Sequence, residues 1–255
     1  LDKDLMSTIV IGDAHLGMYA YGKETGGQDF NTDKACEELR TAVDYLVDTA
    51  PQAETGLLVN VGDFIHMNNS TNTTLKGTPL DVDTRYSRVL YKAGMIMRYM
   101  TDAMLKKFNK VVVVNAIGNH DTDPAVALSL MLQFYYDKEP RVEIKDTVGH
   151  FHYIEWGEHL FGINHGDRIK PEQLAGVMAR DMKEAWGRTK YRMWFLGHIH
   201  HQVVKEVNGV RCESFNTLAP RDAWHSAGGY GSRQAMSCIT FHKTKGRHST
   251  FEYEI

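Results

Sequence analysis

The chain is short of cysteine and proline and has no long hydrophobic run, and each shortage removes a class of protein. Three cysteines in 255 residues, Cys36, Cys212 and Cys238, are too few and too scattered for a disulfide framework or a thiolate zinc site. They fit a reducing compartment, as packed side chains. Only six prolines are present, and no Gly/Ser-rich or low-complexity tract reads as a linker. One domain over residues 1–255 is therefore expected, and the 42% apolar content is enough for a full core. No internal repeat is visible. The apolar runs fall far short of the roughly 20 residues of a membrane span, and the opening "LDKDLMSTIV" lacks a signal-peptide core. A cytoplasmic protein with no membrane partner is expected. A start at Leu1 instead of Met reads as a processed chain or the C-terminal part of a longer one. The formal charge of −3 excludes a generally basic nucleic-acid binder, though not a local basic groove.

Histidine, by contrast, is plentiful: thirteen residues, several beside Asp or Asn at the ends of apolar runs. "TIVIG" (8–12), "LLVNV" (57–61) and "VVVVNAI" (111–117) read as buried strands. A helix is predicted over 33–49, with Ala35, Leu39, Val43 and Leu46 on one stripe. A second covers 84–108 with Met97, Met100 and Met104 inward, and a third starts at Asp123 as N-cap with Pro124 behind it. The second half reads as strands ("VEIK", "HFHYIEW", "HLFGIN", "MWFLG"), a helix over 171–186, a hairpin across Asn208-Gly209, and two closing strands near 235–241 and 249–254. The pattern predicts a mixed α/β domain of two packed sheets flanked by helices.

Each buried strand is followed by polar donors. Asp13 and His15 follow the first, Gly62-Asp63 the second, and Gly118-Asn119-His120-Asp121 the third. His165-Gly166-Asp167 and Gly197-His198-Ile199-His200 follow two later ones. Such strand ends meet at one edge of an α/β sheet. Imidazole plus oxygen without thiolate suits Mn²⁺, Fe or Zn²⁺. The donors are too many for one ion; two ions sharing a carboxylate would use them all. Any one of these motifs alone is as readily a turn or a surface cluster; the specificity lies in the ordered set.

That ordered set, "DAH", "GD", "GNHD", "HGD" and "GHIH", resembles the calcineurin-like metallophosphoesterase superfamily over nearly the whole chain. The resemblance implies a four-layer αββα sandwich of two mixed β-sheets. It implies Asp13, His15 and His200 on a first metal, Asn119, His165 and His198 on a second, and Asp63 bridging. His120 would be the catalytic histidine near the scissile phosphate, oriented by Asp121. Two divalent ions, Mn²⁺ by family habit with Fe, Ni or Zn²⁺ as alternatives, would serve hydrolysis by metal-activated hydroxide.

Flanking residues narrow the substrate. "DAHLGM" and "GDFIHMNN" resemble SbcD-type DNA exonucleases, and His66 matches their second-motif histidine, a further catalytic residue positioning phosphate; a loop histidine satisfied by backbone is the plainer alternative. Only 55 residues follow His200, too few for the capping domain and partner-binding tail of those nucleases, so an ATPase partner is not expected. The protein-phosphatase signature is absent after Asp63. Arg85 after the long loop 67–83, and Arg221, Trp224 and Arg233 in the Gly-rich tail, are candidate substrate contacts by stacking and charge. A packed loop or a homodimer contact is the alternative for that tail. The loop "GTPLDVDTRY" and the tail also resemble bacteriophage phosphoesterases. The expected function is phosphodiester hydrolysis in nucleic acid or nucleotides, with a phosphomonoesterase as rival and a non-catalytic interaction module behind it.

Overall fold

The computed structural model describes residues 1–146 and 148–255 and, of residues 224 and 225, the backbone alone. Its framework is a pair of mixed sheets. Sheet one has the order β11-β10-β1-β2-β3-β4, built from β1 (Asp2–Ile11), β2 (Ala53–Asn60), β3 (Lys110–Asn115), β4 (Val142–Ile144), β10 (Ala235–His242) and β11 (Gly246–Glu254). Strands β1 to β4 run parallel, and β10 pairs antiparallel with β1. Sheet two has the order β5-β6-β7-β9-β8, from β5 (His152–Trp156), β6 (His159–Ile163), β7 (Tyr191–Leu196), β8 (Val203–Val207) and β9 (Val210–Ser214). Here β6, β7 and β9 are parallel.

The unbroken valine run of β3 follows from burial on both faces. Val111 and Val113 pack with Leu39, Val43, Met97 and Met100 of α2 (Thr32–Thr49) and α3 (Tyr86–Leu105). Val112 and Val114 face the other way, into a core shared with Phe161, Ile163 and Phe195 of sheet two. A third core joins the far face of sheet two, through Leu160 and Trp194, to Leu174 and Met178 of α5 (Pro171–Asp181) and Ala185 of α6 (Lys183–Arg188). With α4 (Thr122–Tyr135) beside α3, the layers run helix, sheet, sheet, helix, the αββα sandwich the resemblance implied. Two short helices, α1 (Gly22–Thr25) and α7 (Ala223–Ala227), touch each other in the loops. No helix among the described residues is long and apolar enough to cross a membrane.

Among the boundaries that differ from the sequence reading, three stand out. β1 begins six residues early, because Asp2 pairs with Ala53 beyond a register shift. The N-cap of α4 is Asp121; Asp123 lies in its first turn. The helix expected over 171–186 breaks at Met182 (φ −118°, ψ 46°) into α5 and α6.

Candidate metal centre

The C-terminal ends of β1, β2, β3, β6 and β7 deliver their loops to one edge, as parallel strands of two facing sheets must. The loops are tied together by backbone bonds. His15 N–H donates to the Asp63 carbonyl (3.0 Å), Leu16 N–H to that of Phe64 (2.9 Å) and His66 N–H to that of Leu16 (2.9 Å). Asparagines brace the strand ends: Asn60 Nδ2 donates to Asn115 Oδ1 (2.6 Å), and Asn115 Nδ2 donates to the Ala125 carbonyl at the start of α4 (2.9 Å).

Two donor triads that contain a carboxylate result, beside an all-histidine group of His15, His66 and His120. Asp13, His15 and His200 form one, Asp63, His165 and His198 the other, and within each the ligand atoms lie within 4.8 Å of one another. His15 Nε2 is 3.1 Å from His200 Nε2, which is 3.7 Å from Asp13 Oδ1. His165 Nε2 is 3.1 Å from Asp63 Oδ2 and 3.0 Å from Asn119 Oδ1, which brings Asn119 to the second triad. His165 Nδ1–H donates to the Val61 carbonyl (2.9 Å), which fixes the ring and leaves Nε2 for ligation. Asp63 Oδ1 accepts the backbone N–H of His120 (2.8 Å). Both oxygens of Asp13 face the backbone N–H of His198 at 3.0 Å.

The backbone here is strained in a selective way. Among the described residues, the non-glycine positions with positive φ are Asp13 (29°), His15 (49°), Asp63 (51°), His198 (71°) and His200 (59°), plus Asn72 and Asn208. The two asparagines suit left-handed turns; the other five are all triad members. Each such residue costs on the order of 1–3 kcal/mol, and strain of this kind concentrates at functional sites.

Charge is equally unusual. Burial drives the carboxyls of Asp13 and Asp121 well above the ordinary carboxylate range. Burial also works against ionisation of Asp63, but His165 and then His120 outweigh it and hold that carboxyl low. For His165, burial disfavours the cation, yet Asp63 and Asp13 outweigh it and push the ring above its usual value. Buried carboxylates in excess of buried cations, with imidazole nitrogens aimed among them, are a donor set that a divalent cation would neutralise. The residues fit such ions: each triad offers one carboxylate and two imidazoles, with Asn119 adding an amide oxygen.

His120 stands at the rim, half-buried. Its Nδ1–H donates to the His66 carbonyl (2.7 Å), leaving Nε2 as the other ring nitrogen. The expected pairing of Asp121 with His120 is not what the structure holds. The Asp121 carboxylate accepts backbone N–H groups of Gly118 (3.0 Å), Ile65 (3.1 Å) and Asp63 (3.2 Å), so it shapes the Asp63 and Asn119 loops; the partner of His120 Nδ1 is His66. His66 is 2% exposed, with Nδ1 3.1 Å from His15 Nδ1. His66 thus holds His15 by its side chain and His120 by its carbonyl.

The remaining candidates stand at the start of α3 and in the tail. Arg85 is exposed at the N-cap of α3. Arg221 reaches the Gly26 carbonyl behind α1, at 3.5 Å. Arg233 is paired with Glu254 (2.7 Å) and Glu252 (3.5 Å) on β11, which draws its charge to that edge strand. The side chain of Trp224 lies outside the described residues. Sequence reasoning missed four neighbouring residues in the roles they hold. Thr217 Oγ1 donates to the Asp13 carbonyl (2.7 Å). Asn68 and Asp123 exchange bonds between the second loop and α4, at 3.0 and 3.1 Å. Arg168 is an exposed cation which, after burial itself, holds the nearby His150 below its usual range. Only the "HGDR" spacing could have flagged Arg168; Thr217 and Asn68 carry no signal before folding.

No protein-family model matches the sequence, and no curated protein matches it. Solved structures do. Vacuolar protein sorting 29 from Cryptosporidium parvum is 13% identical over 99% of each chain, with a TM-score of 0.46. YfcE, a phosphoesterase from E. coli, is 12% identical over 96% of this chain and 98% of its own, with a TM-score of 0.41. Vps29 from Entamoeba histolytica complexed with zinc is 12% identical over 98% of each chain, with a TM-score of 0.39.

Proposed function

We propose that this chain is a dinuclear metallophosphoesterase of the calcineurin-like kind that hydrolyses phosphodiester bonds in nucleic acid or nucleotides. The observation that carries the reading is the convergence of two His/Asp triads from four strand ends, with left-handed backbone at five of their six residues. Asp13, His15 and His200 would hold one ion; Asp63, His165, His198 and Asn119 the other, with Asp63 as the candidate bridge. Two divalent ions bound there would supply charge neutralisation at phosphate oxygens and a water acidified toward neutrality.

The chain's own groups do the rest. His165 is locked by Val61 so that Nε2 faces the donors. The Asp63 carboxylate is held by the His120 backbone N–H, which couples the position of a ligand to that of the proton donor. His120, anchored through Nδ1, has Nε2 to protonate a leaving oxygen or steady charge on phosphate. Asp121 contributes by fixing the two loops on which Asp63 and Asn119 ride. His198 is exposed, His200 and His120 half-buried, and Ile199 between the two ligands is 43% exposed. This open mouth above a buried floor favours an extended diester over a small monoester that needs enclosure.

The test is hydrolysis with Mn²⁺ of bis-p-nitrophenyl phosphate, p-nitrophenyl phosphate and end-labelled single- and double-stranded DNA, repeated on His120→Ala. Cleavage of diester and DNA is expected. The variant should keep both metals by elemental analysis and lose roughly 10²–10⁴ in turnover. Cleavage of the monoester alone would replace this reading with a phosphomonoesterase, and no cleavage with two ions bound would leave a non-catalytic binding module.

A further inference from the structure

Beside the second triad stand two hydrogen-bond donors that the candidate ligand set does not use. Arg168 lies three residues beyond His165, in the loop from β6 to α5, and His150 lies in the loop that enters β5. The buried Asn164 ties these loops together. Its Nδ2 donates to the His150 carbonyl (2.8 Å), and its Oδ1 accepts the Gly166 N–H (2.9 Å). Gly166 takes φ 98°, which turns the chain between His165 and Arg168. The Arg168 side chain is 54% exposed and meets the Asp167 carboxylate through Nε at 3.3 Å, beyond the roughly 2.7–2.9 Å of a firm charge-assisted bond. Its two Nη groups, and the ring nitrogens of the half-buried His150, make no hydrogen bond among the described residues. Burial first, then Arg168, holds His150 below its usual range, and Asp167 and His165 act on the same ring. Asp167 acts on His198 as well. Arg168, His150 and the second triad thus share one electrostatic neighbourhood.

We infer that Arg168 and His150 form an anion subsite for the phosphate next to the scissile one, so that the preferred substrate is a single-stranded polynucleotide and not an isolated diester. The inference rests on the phosphodiesterase reading above and adds a second phosphate to it. The chemistry fits: two open Nη groups in one plane meet two phosphate oxygens at once, and the imidazole supplies an N–H from the opposing loop. The position fits too. The His120 ring packs on His15, centroids 4.8 Å apart, on the first-triad side, whereas Arg168 and His150 adjoin the second triad. A strand running from His120 across both triads would reach them. The formal charge is −3, and these few donors suit two adjacent phosphates of one strand better than the many phosphates of a duplex face.

The experiment is fluorescence anisotropy of labelled oligo-dT on the Mn²⁺-loaded full chain carrying His120→Ala, which removes turnover, over a series of salt concentrations. Arg168→Met in that background should weaken binding about 10-fold, the scale of one charge-assisted contact. It should also reduce the slope of log affinity against log salt by about 0.7, one phosphate's share on a single strand. Arg168→Lys should keep the slope and regain part of the affinity, since the charge stays and the fork is lost. His150→Gln should lower affinity without moving the slope. Arg180→Met, a like loss of charge at the far end of α5 where the side chain is 68% exposed, is the control and should change neither. With His120 restored, kcat/KM for oligo-dT relative to TpT, which has a single phosphate, should fall about 10-fold in Arg168→Met. Unaltered affinity and slope in Arg168→Met, or no oligo-dT binding by the parent chain, overturns the subsite. Binding is read without turnover, so the two readings fail separately: hydrolysis of monoesters alone, with a slope that still depends on Arg168, would overturn the phosphodiesterase and support the subsite.

Discussion

Gly118 is where the geometry can be tested with one carbon atom. A Cβ on Gly118 would stand 2.0 Å from Asp63 Oδ1 and 2.3 Å from the Asp63 backbone nitrogen. Ordinary heavy-atom contact needs about 3.5 Å, so Asp63 must retreat by more than 1 Å. It has nowhere to go: its N–H is bound by Asp121, its carbonyl by His15 and its Oδ1 by His120. The Gly118→Ala chain should therefore lose on the order of 1–3 kcal/mol to overpacking, a drop in melting temperature of about 2–12 °C for a domain of this size. Its function should suffer more than its stability, because a ligand displaced by about 1 Å costs about 100-fold in turnover. The assay pairs diester hydrolysis and elemental analysis with thermal unfolding. Gly176→Ala serves as the control; nothing lies within 4 Å of a Cβ there on α5, so it should be neutral or stabilised by up to ~1 kcal/mol. Full activity with two metals in Gly118→Ala would refute the placement of Asp63 and with it the whole centre.

Three other outcomes follow from neighbouring contacts. His66→Ala should lower metal affinity about 10–100-fold by freeing the His15 ring, and His66→Asn, whose amide can replace Nδ1, should recover part of it; calorimetric titration with Mn²⁺ reads both. Lys107 Nζ binds the carbonyls of Val47 (2.6 Å), Asp48 (3.0 Å) and Ala50 at the end of α2, so Lys107→Met should cost about 1–2 kcal/mol in urea unfolding. Burial holds His159 and His152 below the usual histidine range. Protonation of these two rings then favours the unfolded chain, so their contribution to stability should be constant above about pH 6.5 and fall as the pH drops from there, by up to ~1.4 kcal/mol per pH unit for each group. His159→Phe should flatten that slope.

The parts of this molecule that could be read from the chain are those that repeat a local rule. A strand buried on both faces must be apolar throughout, so Val111 to Val114 marked β3 without ambiguity, and Asn208-Gly209 marked its hairpin because both residues take positive φ (50° and 74°). The donor residues were visible for the same reason, each standing directly after such a strand. What could not be read is who bonds whom. The pairing of Asp121 with His120 was an inference from adjacency, but adjacent side chains in a tight turn diverge. The Asp121 carboxylate is pulled inward by three backbone N–H groups from two loops, two of them more than 50 residues away. The ion pairs of Arg233 were hidden for a like reason: only the antiparallel register of β10 and β11 brings Glu252 and Glu254 within its reach.

The recurring Gly-Asp, Gly-Asn-His and Gly-His pairs then have one physical explanation. Each loop must put a polar side chain into a space already crowded by the backbone of the next loop, and a Cβ on the glycine would fall on a ligand of the neighbouring loop instead of its own. On Gly118 it would strike Asp63; on Gly62, His165 Nδ1 at 2.7 Å; on Gly197, Asp13 Oδ2 at 2.7 Å. The glycines thus link the loops in series: the β3 loop against the β2 carboxylate, the β2 loop against the β6 histidine, and the β7 loop against that same histidine (3.3 Å) and the β1 carboxylate. Such mutual clearance binds the sites into a unit, so displacement of one loop shifts ligands of both triads. Strain at Asp13, His15, Asp63, His198 and His200 is tolerable because the surrounding bonds over-determine each position. Cations would then bind to donors already in place, with little ordering left to do on binding.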